Sequence, residues 1–256
     1  MGEDVPGCAR GVSNAIASRL RKVERLLVAC DFDGVLAPIV DDPAAARPLP
    51  AAMESLRQLA HLPDTHVAIV SGRDRRTLSR FVPDAGAFRL VGSHGAEPDE
   101  ARPSAEERAM LEGAEAALAD LKVLAPGLYV EPKPLSVAVH FRRVDPARRA
   151  AVAEGVERVA DGWPYKVLTG KEVVEFAVRA WTKGDAVAEL RARVGATSTL
   201  YLGDDVTDED AFAVLGPDDV GVKVGEGPSI AGHRVPDPEA VAGLLASLAA
   251  ARARAS

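Results

Sequence analysis

Leu26-Leu27-Val28-Ala29-Cys30-Asp31-Phe32-Asp33-Gly34-Val35-Leu36-Ala37-Pro38 sets two carboxylates just past a short apolar run. An uninterrupted apolar run that stops at charged residues and a glycine reads as a buried parallel strand followed by a loop. Asp31 and Asp33 then stand at the carboxyl end of that strand. In open α/β sheets this is the edge where ligands bind, because the loops there carry functional groups on a rigid base. An Asp-x-Asp-Gly loop taken alone is equally an ordinary turn, since Asp and Gly populate turns for conformational reasons. Calcium loops are excluded by spacing. An EF-hand loop needs an oxygen ligand at its fifth position and glycine at its sixth, and Val35 and Leu36 stand there. The acidic cluster from Asp204 to Asp210 fails in the same way, with Val206 at its third position.

Working outward, Val12, Ile16, Leu20, Val23 and Leu27 recur at helical spacing and predict an amphipathic helix leading into the strand. The proline-rich stretch Pro43 to Pro50 precedes a second helix, from Ala51 to His61. Val67-Ala68-Ile69-Val70 is a β-branched run ending at Ser71-Gly72-Arg73, and Phe88-Arg89-Leu90-Val91 ends at Gly92-Ser93-His94-Gly95. The same grammar returns late in the chain. A helix over Gly184 to Val194 leads to the strand Thr199-Leu200-Tyr201-Leu202, which ends at Gly203-Asp204-Asp205. Thr207-Asp208-Glu209-Asp210 opens another helix, where acidic residues also suit the helix dipole. Val220 to Val224 reads as a strand and Pro238 to Ala250 as a closing helix. Strands alternating with helices predict an α/β fold with a parallel sheet and right-handed βαβ units.

Between these two blocks the pattern changes. A helix from Ser104 to Leu124 precedes Leu128-Tyr129-Val130-Glu131, and Ser136 to Arg142 alternates like a strand with one exposed face. A helix from Pro146 to Ala160 leads to Tyr165-Lys166-Val167-Leu168 and Glu172 to Phe176, with a turn at Gly170-Lys171. Residues 98–178 are therefore expected to form a separate α+β domain inserted into a core of residues 1–97 and 179–256.

Composition bounds the function classes. The chain has 256 residues, 47% of them hydrophobic, enough for a substantial core. Its net charge of −7 argues against a general nucleic-acid or anionic-membrane binder. It does not argue against an anionic substrate, because a divalent cation reverses the sign of a local site. Cys8 and Cys30 make no disulfide framework. The start of the sequence lacks the basic and apolar regions of a signal peptide, and no apolar run is long enough to cross a bilayer. A cytoplasmic location is the expectation.

One parallel sheet brings Asp31 and Asp33, Ser71, Lys183 with Gly184, and Asp204 with Asp205 to the same edge. Several carboxylates with one lysine and one hydroxyl suit magnesium-assisted phosphoryl transfer, since Mg²⁺ prefers carboxylate oxygens and keeps waters and a phosphate oxygen as ligands. Asp31 would attack phosphorus to give an aspartyl phosphate, and Asp33 would protonate the leaving alkoxide and later activate water. Lys183 would balance charge between nucleophile and phosphate, and Ser71 would hydrogen-bond a phosphoryl oxygen. No G-x-x-x-x-G-K-[ST], G-x-G-x-x-G or G-x-S-x-G run is present, which removes the corresponding nucleotide-binding loops and the esterase elbow.

Asp31-Phe32-Asp33-Gly34, Ser71-Gly72-Arg73, Lys183-Gly184 and Gly203 to Asp208 resemble, in order, the four motifs of the haloacid dehalogenase superfamily of phosphatases. More narrowly, Leu36-Ala37-Pro38-Ile39, Gly92-Ser93-His94-Gly95, Val139-His140-Phe141-Arg142, Gly170 to Glu175 and Gly203 to Phe212 resemble trehalose-6-phosphate phosphatases. The resemblance implies a Rossmann-like core, a cap domain that closes over the sugar, and Mg²⁺ held by Asp31, the backbone carbonyl of Asp33, and Asp204, with Asp205 and Asp208 as supporting carboxylates. It implies that Glu131, Lys133, Arg142, Lys171 and Glu175 contact sugar hydroxyls, and Gly72, Arg73 and His94 are assigned with them to substrate binding. A sugar phosphate as the small-molecule partner, a monomer, and a functional link to a trehalose-6-phosphate-synthase-like glycosyltransferase are the further expectations. Val35 and Ala177-Val178 depart from the family pattern. The second departure adjoins the sugar-reading segment, so a pseudo-disaccharide or glycosyl-glycerate phosphate is the alternative substrate, and a non-catalytic sugar-phosphate binding module is the alternative of another class.

Overall fold

The computed structural model describes residues 5–82, 85–97, 103–170 and 172–255. The first part of the chain runs α1 (Val5–Leu20), β1 (Leu26–Cys30), α2 (Pro50–His61), β2 (Thr65–Val70), α3 (Arg75–Phe81) and β3 (Arg89–Val91). The middle part runs α4 (Ala105–Leu124), β4 (Tyr129–Lys133), β5 (Ser136–His140), α5 (Arg149–Asp161), β6 (Val167–Gly170) and β7 (Val173–Ala177). The last part runs α6 (Lys183–Val194), β8 (Ser198–Gly203), α7 (Val206–Ala213), β9 (Val220–Val224), β10 (His233–Val235) and α8 (Pro238–Ala253). The chain divides into two compact units, Met1–Pro98 with Trp181–Ser256, and Asp99–Ala180.

The first unit is a Rossmann-like α/β core. Its sheet has the order β10-β9-β8-β1-β2-β3, and the pairings along it are parallel. β1 is apolar throughout because it is buried on both faces. Leu26, Val28 and Cys30 pack in one layer with residues of α1, α2 and α8, whereas Leu27 and Ala29 pack on the other side with α6 and α7. Each Leu or Val so buried contributes roughly 1.5–3 kcal/mol. The chain builds outward from β1 through β2 to β3, then returns to place β8 on the opposite side of β1. That reversal is a topological switch point, and the crevice beyond the strand ends there is the place for a ligand.

The second unit has an antiparallel sheet, β4-β5-β7-β6. Its register sets Glu131 opposite Ala138, Lys133 opposite Ser136, and Ala138 opposite Glu175. Strand alternation therefore collects Tyr129, Glu131, Lys133, Ser136, His140 and Glu175 on one face. The other face carries the buried Val130, Val137, Val139, Val174 and Phe176. α4 starts with a full capping box, Ser104 with Glu107, which also receives the guanidinium of Arg179.

Boundaries differ from the sequence expectation where local chemistry intervenes. Pro146 opens a 3-10 turn capped by Asp145, and the α-helix begins only at Arg149. β10 is three residues long and α3 seven, too short for a hydrophobic period to register. Among the described residues no helix is long and apolar enough to cross a membrane.

Candidate active site

The ladder of β1 extends one residue past the strand, since Asp31 N–H donates to Leu202 O at 2.9 Å. Asp31 is thereby fixed at the carboxyl edge, where its Oδ1 accepts from Phe32 N–H at 2.6 Å and its Oδ2 from Lys183 Nζ at 2.6 Å. Gly34 turns the following loop with φ +76°, and a Cβ there would meet Asp204 Oδ2 at 2.0 Å. Only glycine permits both that backbone and that approach.

Lys183 is the first residue of α6, fully buried between two carboxylates, Asp31 and Asp208, the latter at 2.7 Å. Burial disfavours its charge, but the two carboxylates outweigh burial and raise the ammonium pKa. Asp208 is saturated. Its Oδ1 accepts from Lys183 Nζ and from Tyr201 O–H at 2.6 Å, and its Oδ2 accepts the N–H groups of Asp204 and Asp205, each at 2.9 Å. Burial works against its ionisation, yet Lys183 and these donors hold its carboxyl below the ordinary value. Asp31 is held well above the ordinary value by burial, with Lys183 opposing and Asp208 and Asp204 adding to the rise. Burial and the neighbouring Asp208 push Asp204 up to about 7.

One carboxylate oxygen from each of Asp31, Asp204 and Asp208 lies within 4.8 Å of the others. Hard oxygen donors crowded so closely, with their charges opposed by burial, suit a small divalent cation. Both oxygens of Asp208 are already taken up by four hydrogen bonds. Asp205 caps α7, accepting from Val206 N–H at 2.7 Å, and lies outside the group.

Ser71 follows β2 directly as a buried hydroxyl whose Oγ accepts from Arg73 N–H at 3.1 Å. With a lone pair so occupied, its own proton is available for an anionic oxygen. Asp33 does not stand with the other carboxylates. It receives a two-pronged bond from Arg73, Nε to Oδ2 at 2.6 Å and Nη2 to Oδ1 at 2.7 Å. His94 adopts a left-handed conformation, φ 54°, and its ring leaves no room for a Cβ at Gly72, which would lie 2.5 Å from Cε1.

In the second unit, Lys133 donates to Glu175 at 2.7 Å, Ser136 donates to the other oxygen of Glu175 at 2.5 Å, and His140 bonds Glu131 at 2.8 Å while its ring stacks on Tyr129. The hydrogen bond to His140 is the largest influence holding Glu131 below the ordinary carboxylate range. Arg142 donates to Glu172 at 3.2 Å, an acceptor it shares with Arg149. Lys171 lies outside the described residues. Ala177 and Val178 are occupied with packing: Trp163 donates to the carbonyl of Ala177, and the buried Val178 donates its N–H to Leu135 O.

Sequence reasoning passed over two groups. Tyr201 was hidden in an apolar run, where its hydroxyl gives no periodic signal. Lys223 did give one, a lysine in the otherwise apolar Val220–Val224. Its Nζ is buried and donates to the carbonyl of Asp204.

The trehalose-phosphatase profile matches residues 29–235, a span that takes in all of these motifs. The chain belongs to the trehalose-phosphatase family. A family relative, the trehalose-phosphate phosphatase of Mycobacterium marinum, is 39% identical over 215 residues, covering 79% of this chain and 54% of that protein. The chain thus spans about half the length of the curated relatives it matches. Among solved structures, the C-terminal domain of the trehalose-6-phosphate phosphatase of Candida albicans superposes with a TM-score of 0.79 at 26% identity, covering 93% of this chain and 97% of that one. The C-terminal domain of a trehalose synthase regulatory protein of Candida albicans shares the fold at a TM-score of 0.71 and 13% identity, covering 93% of this chain and 98% of that one. The fold is therefore common to proteins with different names, and function has to be argued from the residues at the sheet edge.

Proposed function

We propose that this chain is a Mg²⁺-dependent phosphatase that hydrolyses trehalose 6-phosphate through a phospho-Asp31 intermediate. The observation that carries the reading is the buried Asp31–Lys183–Asp208 chain beside Asp204, at the switch point of the sheet in a member of the trehalose-phosphatase family.

In the first step an Asp31 carboxylate oxygen forms a bond to phosphorus as the bond to the sugar O6 breaks, and Asp33 gives its proton to the leaving oxygen. In the second, Asp33 takes a proton from water as that water attacks phosphorus, freeing Asp31 and phosphate. Lys183 opposes the charge on Asp31 so that an anion can approach it, and Ser71 donates to a phosphoryl oxygen. Asp31, Asp204 and the carbonyl of Asp33 would hold Mg²⁺, which when bound supplies charge neutralisation and polarises the phosphoryl group. The polar face of the second sheet, with Glu131, Lys133, Arg142 and Glu175, would read sugar hydroxyls as a cap, joined by Lys171, so that remote binding energy assists the reacting centre. Monomeric action in the cytoplasm on a sugar phosphate made by a trehalose-6-phosphate-synthase-like glycosyltransferase completes the reading.

The test is phosphate release with Mg²⁺ from trehalose 6-phosphate, glucose 6-phosphate, glycosyl-phosphoglycerates and a pseudo-disaccharide phosphate, compared by kcat/KM. Preference for trehalose 6-phosphate by several orders of magnitude is expected. Strong activity on another phosphate with weak activity on this one would refute the substrate and keep the mechanism.

A further inference from the structure

The guanidinium of Arg73 is built into the site far more firmly than a surface phosphate ligand would need. Two of its nitrogens grip both oxygens of Asp33, and Nη2 also donates to Pro43 O at 2.9 Å. Three hydrogen bonds are thus committed from a group with five donors. The cation lies over two rings, 4.7 Å from the centroid of Phe81 and 5.4 Å from that of Phe32. Its backbone is pinned as well, the N–H to Ser71 Oγ and the carbonyl to Ser93 N–H. Its side chain is 12% exposed and that of Asp33 34%, so the arginine is the fixed partner and the carboxylate the accessible one.

We propose that Arg73 is a positioning residue for Asp33, holding the plane and direction of that carboxylate toward the leaving oxygen rather than binding the substrate phosphate. This rests on the acid–base role of Asp33 proposed above. A forked guanidinium fixes both oxygens of a carboxylate in one plane, which an ammonium cannot do. The stacking on Phe32 and Phe81 fixes the fork itself, and Phe32 lies between Asp31 and Asp33 in the chain. A proton donor displaced by about 1 Å can lose on the order of 100-fold in rate.

The leaving group separates the two roles. Nitrophenolate departs without a proton, whereas a sugar alkoxide needs one. Arg73→Lys and Arg73→Ala are expected to slow the first turnover of trehalose 6-phosphate by roughly 10- to 100-fold. The pre-steady-state nitrophenolate burst from p-nitrophenyl phosphate should keep its rate, and the substrate concentration at which that rate is half-maximal, within about 3-fold of the parent, because its leaving group needs no proton; the steady-state rate after the burst should fall, because Asp33 also activates water in the second step. Asp33→Asn is expected to show the same split more strongly, and Arg73→Ala added to it should change the rate little further. The lysine keeps a cation over the two rings, so a folded variant is available even where the alanine form does not fold. If the first turnover of both substrates slows together and the burst needs more substrate to reach half its maximal rate, Arg73 is a phosphate ligand and the proposal fails. If Asp33→Asn shows the split and neither arginine variant does, the positioning role alone fails. If Asp33→Asn shows no split, the acid–base reading falls and the proposal with it.

Discussion

Asp208→Asn changes one atom in a buried side chain of the core whose two oxygens are both fully engaged. Asp208 accepts four hydrogen bonds, two on each oxygen. An asparagine keeps one accepting oxygen and turns the other into a donor. Whichever way the amide sits, its nitrogen faces either Lys183 and Tyr201 or the N–H groups of Asp204 and Asp205. Two hydrogen bonds to a charged acceptor are lost, at roughly 1.5–3 kcal/mol each. Lys183 is also left buried with one carboxylate in place of two. The expected loss is about 3–5 kcal/mol of core stability, on the order of 10 °C in Tm. The assay is urea unfolding in metal-free buffer, with amide exchange of Leu26–Cys30 and Ser198–Gly203 followed by mass spectrometry so that the core is read by itself. Asp204→Asn is the control, expected to leave metal-free stability unchanged or improved and to abolish stabilisation by Mg²⁺. A loss below about 1 kcal/mol in Asp208→Asn would refute the anchoring argument. So would a variant that keeps its metal-free stability and loses only the response to Mg²⁺, since Asp208 would then be a ligand.

Asp31→Asn is expected to abolish both turnover and acid-stable labelling of the protein by radioactive phosphate from substrate; turnover at the parent rate would exclude the covalent route. Because Asp204 is raised from 3.8 to about 7, the native state binds more protons than the unfolded chain in that window, so metal-free stability should fall as pH climbs through it. Apparent Mg²⁺ affinity, read by titration calorimetry, should rise over the same window because the cation displaces that proton, and a flat profile would contradict the assignment. Lys133→Met removes one ammonium from the buried Glu175, which should cost the second unit on the order of 3 kcal/mol; faster amide exchange in β4, β5 and β7 with β1 and β8 unchanged would register it.

The core was legible because its strands announce themselves twice, by an apolar run and by the polar residue at which the run stops. Asp31, Ser71, Lys183 and Asp204 all lie where such a break or a helix start put them. What the sequence concealed was partnership. Nothing in Ser71-Gly72-Arg73 says that the arginine will close on Asp33, since that contact depends on how two loops meet across the sheet edge. Asp208 read both as a helix-start acid and as a supporting carboxylate, and it serves both ends at once by capping α7 and bonding Lys183. Tyr201 was indistinguishable from its apolar neighbours because its ring is core and only its hydroxyl is chemistry.

The inserted unit also sets an order of events during synthesis. β1 pairs with β8, Leu26 opposite Ser198, so the centre of the sheet joins segments made before and after the whole insertion. A chain emerging from the ribosome carries Asp31 long before Lys183 and Asp204 exist. Contacts so distant in sequence carry a loop-closure cost and form slowly, while the second unit, contiguous between Asp99 and Ala180, has all its partners at hand and can fold first. Until β8 docks, Asp31 is a carboxylate without Lys183, and no partial product of translation brings Asp31, Lys183 and Asp208 together. The buried Asp31–Lys183–Asp208 chain therefore assembles with the pairing that also closes the core.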